Sequence, residues 1–332
     1  MSDKIYPIGI QNFEKLRKEG YFYIDKTALI YKMVKTGSYY FLSRPRRFGK
    51  SLLISTLEAY FQGKKELFSG LAMERLEKDW IEHPILHLDL NIEKYDVPQS
   101  LDNILEKSLT AWEKLYGAEP SERSFSLRFA GIIERAYAQT GQRVVILVDE
   151  YDKPMLQAIG NEELQKQFRN TLKPFYGALK TMDGCIKFAL LTGVTKFGKV
   201  SGFSDLNNLD DISMWNEYIE ICGISEREIH DNLEAELHEF AAARGVTYDK
   251  LCTELKENYD GYHFTHNSIG MYNPFSLLNA FKRKEFGSYW FETGTPTYLV
   301  KLLKKHHYNL ERMAHEETDA QVLNSIDSES TN

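Results

Sequence analysis

The chain has 332 residues, of which 42% are apolar and 27% are charged, and its formal net charge is −7. The length suggests two domains, and the composition is ordinary for a globular protein. The negative charge gives no electrostatic reason to expect nucleic-acid binding by the whole chain. No apolar run approaches the ~18–20 residues that span a bilayer, and the three separated cysteines form no C-x-x-C pair. We therefore expect a cytoplasmic protein that contacts no membrane and keeps its cysteines reduced.

The first elements in chain order are two short helices. A charged helix over residues 10–19 ends at Gly20, and the polar residues 25–27 offer a cap for a second helix through Val34. Between them lie Tyr23 and Ile24. Segments just before a phosphate-binding loop often lie over the nucleotide base, so these two side chains are candidate adenine contacts. An ordinary core strand or turn is the alternative.

The next stretch has the order strand, loop, helix, which a phosphate-binding loop requires. The apolar run 39–42 predicts a short buried strand, and Gly49-Lys50-Ser51 opens a helix that carries several apolar side chains. The first N–H groups of a helix have no intrahelical partner and lie at the positive end of its dipole, so they attract polyphosphate. We expect Lys50 to reach the β- and γ-phosphates of ATP and the Ser51 hydroxyl to ligate Mg²⁺.

This loop departs from the standard pattern at its first position. The pattern asks for Gly at position 44, but this chain has Arg44 followed by Pro45. Because Arg tolerates positive φ less readily than Gly, we expect the loop to enter by a different turn. Two more arginines lie inside the loop, and at least one of them should affect the charge around the nucleotide. The residues predicted to bind the nucleotide are Tyr23, Arg46, Arg47, Phe48, Gly49, Lys50, Ser51 and Leu52.

Two acidic residues about a hundred positions later are suitable partners for this loop. The run 144–148 is rich in β-branched residues, as in a parallel strand covered on both faces, and Asp149 and Glu150 follow it. The carboxyl end of such a strand is where an open α/β sheet binds ligands. We expect Asp149 to hold Mg²⁺ and Glu150 to polarise the attacking water. The chain has no Asn-Lys-x-Asp guanine motif, and a kinase has less need of a water-activating Glu, so ATP hydrolysis is favoured.

The remaining pattern predicts a three-layer α/β domain with a parallel sheet, followed by helices. Further strands are predicted at 84–91, 186–192 and 218–222, and helices at 98–116, 124–139 and 161–181, the last kinked or interrupted at Pro174. After residue 225 the predicted helices are 225–244, 247–258, 274–285 and 296–306. We predict an ATPase domain at 1–224, a helical lid at 225–314, and a polar tail at 315–332 that is disordered or the cut edge of a further domain.

Other polar residues are candidates with a structural alternative. Thr192 ends a predicted strand, where it could report hydrolysis by touching the γ-phosphate or the water, or could simply terminate the strand. Lys196 and Lys199 could meet phosphate, but exposed loop lysines are common. A further group could suggest a metal cluster, but its spacing fits no standard zinc pattern and structural histidines would explain it. That group is Asp260, His263 and His266.

Taken together, these segments resemble the predicted AAA-ATPase-like family, which is common in anaerobic gut bacteria. The matching segments are FLSRPRRFGKSL at 41–52, LVDEYDKP at 147–154, LTGVTKF at 191–197, DLNNLDDI at 205–212, YDGYHF at 259–264, YNPF at 272–275 and YWFETGTP at 289–296. They extend over most of the chain, and long motifs in a fixed order are specific. Arg at position 44 is usual in this family.

The resemblance implies a P-loop ATPase of the AAA-like or signal-transducing class, with sheet order 5-1-4-3-2. It also implies that residues from 223 onward form the helical lid, with 272–274 approaching the nucleotide. Family members commonly continue into a PD-(D/E)XK nuclease-like domain, and no Asp…Glu-x-Lys constellation of that kind is found in this chain. Nuclease activity is therefore not carried over.

Three hypotheses follow for function. The first is a Mg²⁺-dependent ATPase with Lys50, Glu150 and Thr192 as its catalytic residues, Ser51 and Asp149 as its metal ligands, and ATP and ADP as its ligands. The second is a non-hydrolysing switch or scaffold that nucleotide holds together until a partner completes the site. The third is a defence or mobile-element component whose ATPase regulates a missing nuclease domain. An arginine finger can come from a neighbouring copy, so a homo-oligomer stays open.

Overall fold

The computed structural model describes residues 4–195, 208–265 and 268–290. Its α-helices are α1 Phe13–Lys18, α2 Thr27–Thr36, α3 Lys50–Phe61, α4 Ala72–Leu76, α5 Gln99–Tyr116, α6 Phe125–Thr140, α7 Lys153–Gln157, α8 Glu162–Thr181, α9 Glu226–Arg244, α10 Tyr248–Tyr259 and α11 Pro274–Arg283. Its β-strands are β1 Tyr39–Ser43, β2 Ile85–Asp89, β3 Val144–Asp149, β4 Ile186–Gly193, β5 Asp210–Asp211, β6 Ile224–Ser225, β7 Asp260–Tyr262 and β8 Met271–Tyr272. No helix of these described residues is both long and apolar enough to cross a membrane.

The described residues divide into two compact units whose segments interleave along the chain. The sheet unit contains residues 38–43 and 83–211, and the helical unit contains residues up to 37, 44–82 and 212–290. This division differs from the predicted boundary between residues 224 and 225, which stays a prediction. The predicted helix at 296–306 and the predicted tail at 315–332 lie outside the described residues.

The sheet unit is an α/β structure built on five parallel strands in the order β2-β3-β4-β1-β5. The expected order 5-1-4-3-2 names the strands starting from the opposite edge of the sheet. The structure differs from the prediction in the segment that forms the fifth strand. Strand β3 is buried at every position, as its continuous apolar run predicts. Helices α5, α6 and α8 pack in this unit, where the rings of Phe129 and Phe175 stack with centroids 4.4 Å apart. A kink or an interruption was predicted at Pro174; helix α8 continues through this residue, so the helix is not interrupted there.

The predicted fifth strand at 218–222 was wrong. The chain forms a 3₁₀ helix at Asn216–Ile221, and the edge strand is β5, which pairs with β1. The apolar side chains of Tyr218, Ile219 and Ile221 are buried, so the pattern correctly indicated burial. A backbone hydrogen bond from the Tyr218 N–H to the carbonyl of Trp215 closes a turn that a strand could not contain.

The helical unit has its own apolar core and a small antiparallel sheet. Helix α9 begins with a capping box, in which the Ser225 hydroxyl accepts from the Glu228 N–H and the Glu228 carboxylate accepts from the Ser225 N–H. Strands β6, β8 and β7 form an antiparallel sheet that the mostly helical prediction for this region missed. Leu237, Phe240 and Phe281 are fully buried in the core between these elements.

Candidate functional site

The loop between β1 and α3, residues 44–49, is shaped by two residues with left-handed backbone conformations. Arg47 has a φ of 67° and Gly49, which caps helix α3, has a φ of 99°. Alternation of this kind turns successive N–H groups towards one side, which makes a concave site for an anion. The N–H groups of Arg47 and Gly49 donate no hydrogen bond to any part of the chain that the structure describes. No acceptor in that part of the chain competes with a ligand for them.

The carbonyl groups of the same loop are held by donors from the protein. The Lys50 ammonium donates to the carbonyl oxygens of Arg44 at 3.0 Å and Pro45 at 3.4 Å. The N–H of Gly223 donates to the carbonyl oxygen of Phe48 at 2.9 Å. A carbonyl that pointed at a phosphate would repel it, so these bonds favour a loop that presents N–H groups to an anion.

Arg44 occupies the position where the standard loop has Gly, and it does not adopt a positive φ. Its side chain is buried, with only 1% of its surface exposed. The guanidinium donates to the carbonyl oxygens of Ser213 at 2.7 Å and Tyr218 at 3.1 Å, and it lies 4.0 Å from the ring centroid of Phe264. The prediction of a different turn is consistent with this geometry, because the left-handed residue is Arg47. Arg44 therefore ties the loop to residues about 170 positions later.

Substituting Arg44→Gly restores the standard loop pattern, and we expect it to destabilise the protein without improving nucleotide binding. Two hydrogen bonds from a buried charged group and one cation–π contact would be lost, for a decrease of about 3 kcal/mol in the free energy of unfolding. Urea unfolding of the variant measures this decrease, with the exposed Arg123→Gly as a matched control. A variant as stable as the wild type would contradict the structural role of Arg44.

An apolar cavity of about 100 Å³ lies in the helical unit beside the first turn of α3. Tyr23 and Ile24, the two candidate base contacts, line it together with Gly49, Leu52 and Gly223. Burial raises the pKa of Tyr23 above its ordinary value, so its hydroxyl stays neutral. The cavity is smaller than the ~300–1,000 Å³ pockets that enclose whole small molecules. It has room for one flat ring system at most.

The other predicted loop residues have different environments. Arg46 and Arg47 are exposed, and the Arg47 guanidinium lies 4.9 Å from the ring centroid of Phe275. Phe48 is buried in a small aromatic cluster with Tyr262, with ring centroids 4.7 Å apart. Ser51 is half-buried in the first turn of α3. Phe48 therefore anchors the loop, while the two arginines remain accessible to solvent and ligand.

The sheet unit brings Asp149 and Thr192 together. Asp149 is 4% exposed and Thr192 is fully buried, and the Thr192 hydroxyl donates to Asp149 Oδ1 at 2.6 Å. The Tyr151 N–H donates to the Thr192 carbonyl oxygen at 2.9 Å, which joins the chain after β3 to the end of β4. Glu150, which lies between Asp149 and Tyr151 in the sequence, has a φ of 56°. This is a left-handed conformation that a non-glycine residue adopts uncommonly. Such conformations cluster at functional sites.

Asp152 organises the same region, a role that was not predicted from the sequence. Its Oδ2 accepts from the N–H groups of Val194 at 3.0 Å and Thr195 at 2.7 Å, and from the Thr195 hydroxyl at 2.6 Å. Gly193 makes this approach possible, because a Cβ there would lie 2.6 Å from the Tyr151 ring. The signal in the sequence was an acid three residues after the strand together with a Gly at the end of the next strand.

Parallel pairing places the ends of three strands at one edge of the sheet. Strand β4 lies between β1 and β3, with Ser43 in register with Gly193 and Val148 in register with Leu191. Strand β1 therefore ends at the same sheet edge as β3, where Asp149 is the last residue of β3 and Glu150 follows it. This edge is where open α/β sheets bind their ligands.

The hypothesis of a metal cluster at residues 260–266 gains no support from the described residues. Among the described residues, no group of three or more His, Cys, Asp or Glu side chains could hold a metal ion. Asp260 lies in β7, and burial raises the pKa of its carboxyl group. A ring nitrogen of His263 lies 3.0 Å from the carbonyl oxygen of Ser268. His266, Lys196 and Lys199 lie outside the described residues.

Comparison with known proteins gives two similarities. Residues 7–203 match the model of a family described as predicted AAA-ATPase. A protein from Azotobacter chroococcum mcd 1, named as an uncharacterized protein in the vnfD 5′ region, is 42% identical over 305 residues. The match covers 91% of this chain and 57% of that relative, so the chain spans little more than half of the relative's length.

Proposed function

The chain belongs to the predicted AAA-ATPase family, and from this premise we propose that it binds ATP with Mg²⁺ and hydrolyses it. The family implies nucleotide use, and the residues described above support a specific distribution of roles. The observation that carries the proposal is the position of the apolar cavity, which lies against Gly49 at the beginning of α3. A ligand with a flat ring and a polyphosphate would place the ring in the cavity and its phosphates on the loop.

Each part of the nucleotide has a candidate partner in the helical unit. The adenine ring would lie against Tyr23, Ile24 and Leu52, because these side chains line the cavity. The phosphates would accept hydrogen bonds from the N–H groups of the loop, and the Lys50 ammonium would move from the loop carbonyls to the β- and γ-phosphates. All of these candidate partners belong to the helical unit, which supports ATP binding by this unit.

The residues of the Gly49-Lys50-Ser51 and Asp149-Glu150 motifs would hold the metal and activate the water. We propose that the Ser51 hydroxyl and Asp149 hold Mg²⁺, Asp149 directly or through water. Thr192 positions Asp149 through their 2.6 Å hydrogen bond, and this role is better supported than direct contact with the γ-phosphate. Glu150 would accept a proton from the attacking water, because a carboxylate is a suitable general base. Mg²⁺ would neutralise the charge that develops on the phosphates.

Calorimetric binding and phosphate release on the purified chain test this proposal. We expect ATP and ADP to bind more tightly than GTP, pyrophosphate to bind more weakly than ADP, and phosphate release to require Mg²⁺. Binding of pyrophosphate with the same affinity as ADP would show that the cavity does not hold the base. Failure of every nucleotide and of pyrophosphate to bind would overturn the whole proposal.

A substitution that fills the cavity should distinguish binding of the base from binding of the phosphates. We expect Leu52→Trp to weaken ADP binding at least ~10-fold, because an indole ring would occupy the space of the base. Pyrophosphate binding should stay within about two-fold of wild type, since the loop is unchanged and repacking costs are modest. The matched control is Leu127→Trp, at an exposed position on α6. Equal loss of ADP and pyrophosphate would instead indicate damage to the loop.

A nucleotide-dependent switch is the second candidate, and one observation favours it. One carboxylate oxygen of Asp149, the proposed metal ligand, already accepts a hydrogen bond from Thr192. A site held in this state would bind nucleotide and hydrolyse it only when a partner shifts that bond. Binding of ATP with negligible phosphate release in the wild type would support the switch. Regulation of a nuclease-like domain in a longer protein is a proposal of the same kind.

A further inference from the structure

The carbonyl oxygen of Arg46 accepts hydrogen bonds from two side chains that lie far away in the sequence. The Asn273 amide donates to it at 3.4 Å and the Trp290 indole N–H donates to it at 3.0 Å. Asn273 is buried, with 3% of its surface exposed. Both residues belong to the helical unit, as does the loop. Two donors therefore fix the orientation of a single peptide group.

That peptide group contains the Arg46 carbonyl and the Arg47 N–H. In a planar trans peptide the C=O and N–H bonds point in opposite directions. The chain has no cis peptide among its described residues, so a carbonyl held by Asn273 and Trp290 aims the Arg47 N–H the other way. The Gly223 N–H holds the Phe48 carbonyl, and this bond aims the Gly49 N–H by the same rule. Neither of these two N–H groups donates a hydrogen bond to the described residues.

We propose that Asn273 and Trp290 are positioning residues for polyphosphate binding. They act through the Arg46–Arg47 peptide group, which they hold in the orientation that presents an N–H to a phosphate oxygen. The inference rests on the proposed function, because it concerns the affinity of the same loop. It predicts that nucleotide affinity depends on residues more than 200 positions after the loop, and that the indole of Trp290 senses loop occupancy.

The second hydrogen bond of Asn273 allows a clean substitution. Its Oδ1 accepts from the Ser276 N–H at 3.1 Å and caps helix α11, while its Nδ2 is the group that faces Arg46. Asp and Ser are both good N-caps, so Asn273→Asp and Asn273→Ser should keep the helix cap. Ionised Asp has no donor, and the Ser hydroxyl is too short to reach the Arg46 carbonyl, which the longer Asn side chain meets at 3.4 Å. Asp adds a negative charge near the loop, whereas Ser adds none. Comparing the two variants separates charge repulsion from the loss of positioning.

We expect Asn273→Ser to weaken pyrophosphate and ADP binding by the same factor, about 5- to 10-fold, and Asn273→Asp to weaken both further. The equal factor is expected because the peptide group meets phosphate and not the base. The temperature of unfolding without ligand should change little, because the cap is retained. Wild-type pyrophosphate affinity in Asn273→Ser, or a lowered unfolding temperature with unchanged affinity, would overturn the positioning role.

Tryptophan fluorescence provides a second readout. We expect pyrophosphate or ADP to change the emission of the wild type, and Trp290→Phe to remove most of that change while weakening both ligands several-fold. The control is Trp215→Phe, since Trp215 is exposed and its ring lies beside that of Tyr218. An emission change that survives Trp290→Phe, together with unaltered affinity, would overturn the proposal. If the wild type itself bound neither ligand, the proposed function would fail, which is a separate outcome.

Discussion

Lys50→Ala is expected to weaken ATP and ADP binding by at least ~100-fold, because each charge-assisted hydrogen bond to phosphate is worth about 1.5–3 kcal/mol. Lys50 is 4% exposed, and its ammonium lies across the loop on the carbonyl oxygens of Arg44 and Pro45. In the proposed complex this cation leaves the loop carbonyls and binds the phosphates. Its loss should remove most of the attraction for the β- and γ-phosphates. Isothermal titration with ADP measures the effect.

Two further variants show whether the charge or the packing of Lys50 matters. Lys50→Met keeps the length of the aliphatic stem and removes the charge, so it should lose as much affinity as the alanine variant. Lys107→Ala removes an exposed lysine on α5 and should bind like wild type. The temperature of unfolding without ligand reports any loosening of the loop carbonyls. Full ADP affinity in Lys50→Met would refute the phosphate-binding loop.

The strands and helices that the sequence predicted best are those whose pattern is local. Strand β3 was predicted at 144–148 and lies at Val144–Asp149, and the helix predicted at 98–116 lies at Gln99–Tyr116. A continuous β-branched run and a regular apolar face determine these elements within one window of sequence. Burial alone is less specific, which is why the buried segment at 218–222 was mistaken for a strand. Its carbonyl at Tyr218 is used by Arg44, a contact that no local pattern shows.

Prediction from local sequence patterns has the same limit at the candidate site. Lys50, Ser51, Asp149 and Glu150 belong to short motifs with known chemistry, so their type and spacing were sufficient to single them out. The residues that hold the loop carbonyls could not be found in this way. Gly223, Asn273 and Trp290 are 175 to 244 positions from the loop residues they contact. Such partners are visible only in the tertiary structure, because only the folded chain brings their donors to the loop.

Glu150→Gln is expected to retain ATP binding and to lower phosphate release by about 10²–10⁴-fold, the usual contribution of a general base. Gln matches Glu in size and tolerates a φ of 56° about as well, so the backbone between β3 and α7 should be preserved. The amide cannot accept the proton of the attacking water. Single-turnover phosphate release with ATP and Mg²⁺ measures the chemical step, and titration with ATP measures binding separately.

The outcome of this substitution discriminates between the two proposed functions. The matched control is Glu134→Gln, an exposed acid on α6 that should release phosphate at the wild-type rate. If Glu150→Gln binds ATP without turnover while the control is active, Glu150 is the base and the chain is an ATPase. If Glu150→Gln hydrolyses ATP like the control, water must be activated by another group. If the wild type also binds ATP without release, the left-handed Glu150 and the Asp149–Thr192 bond belong to a switch that a partner must complete.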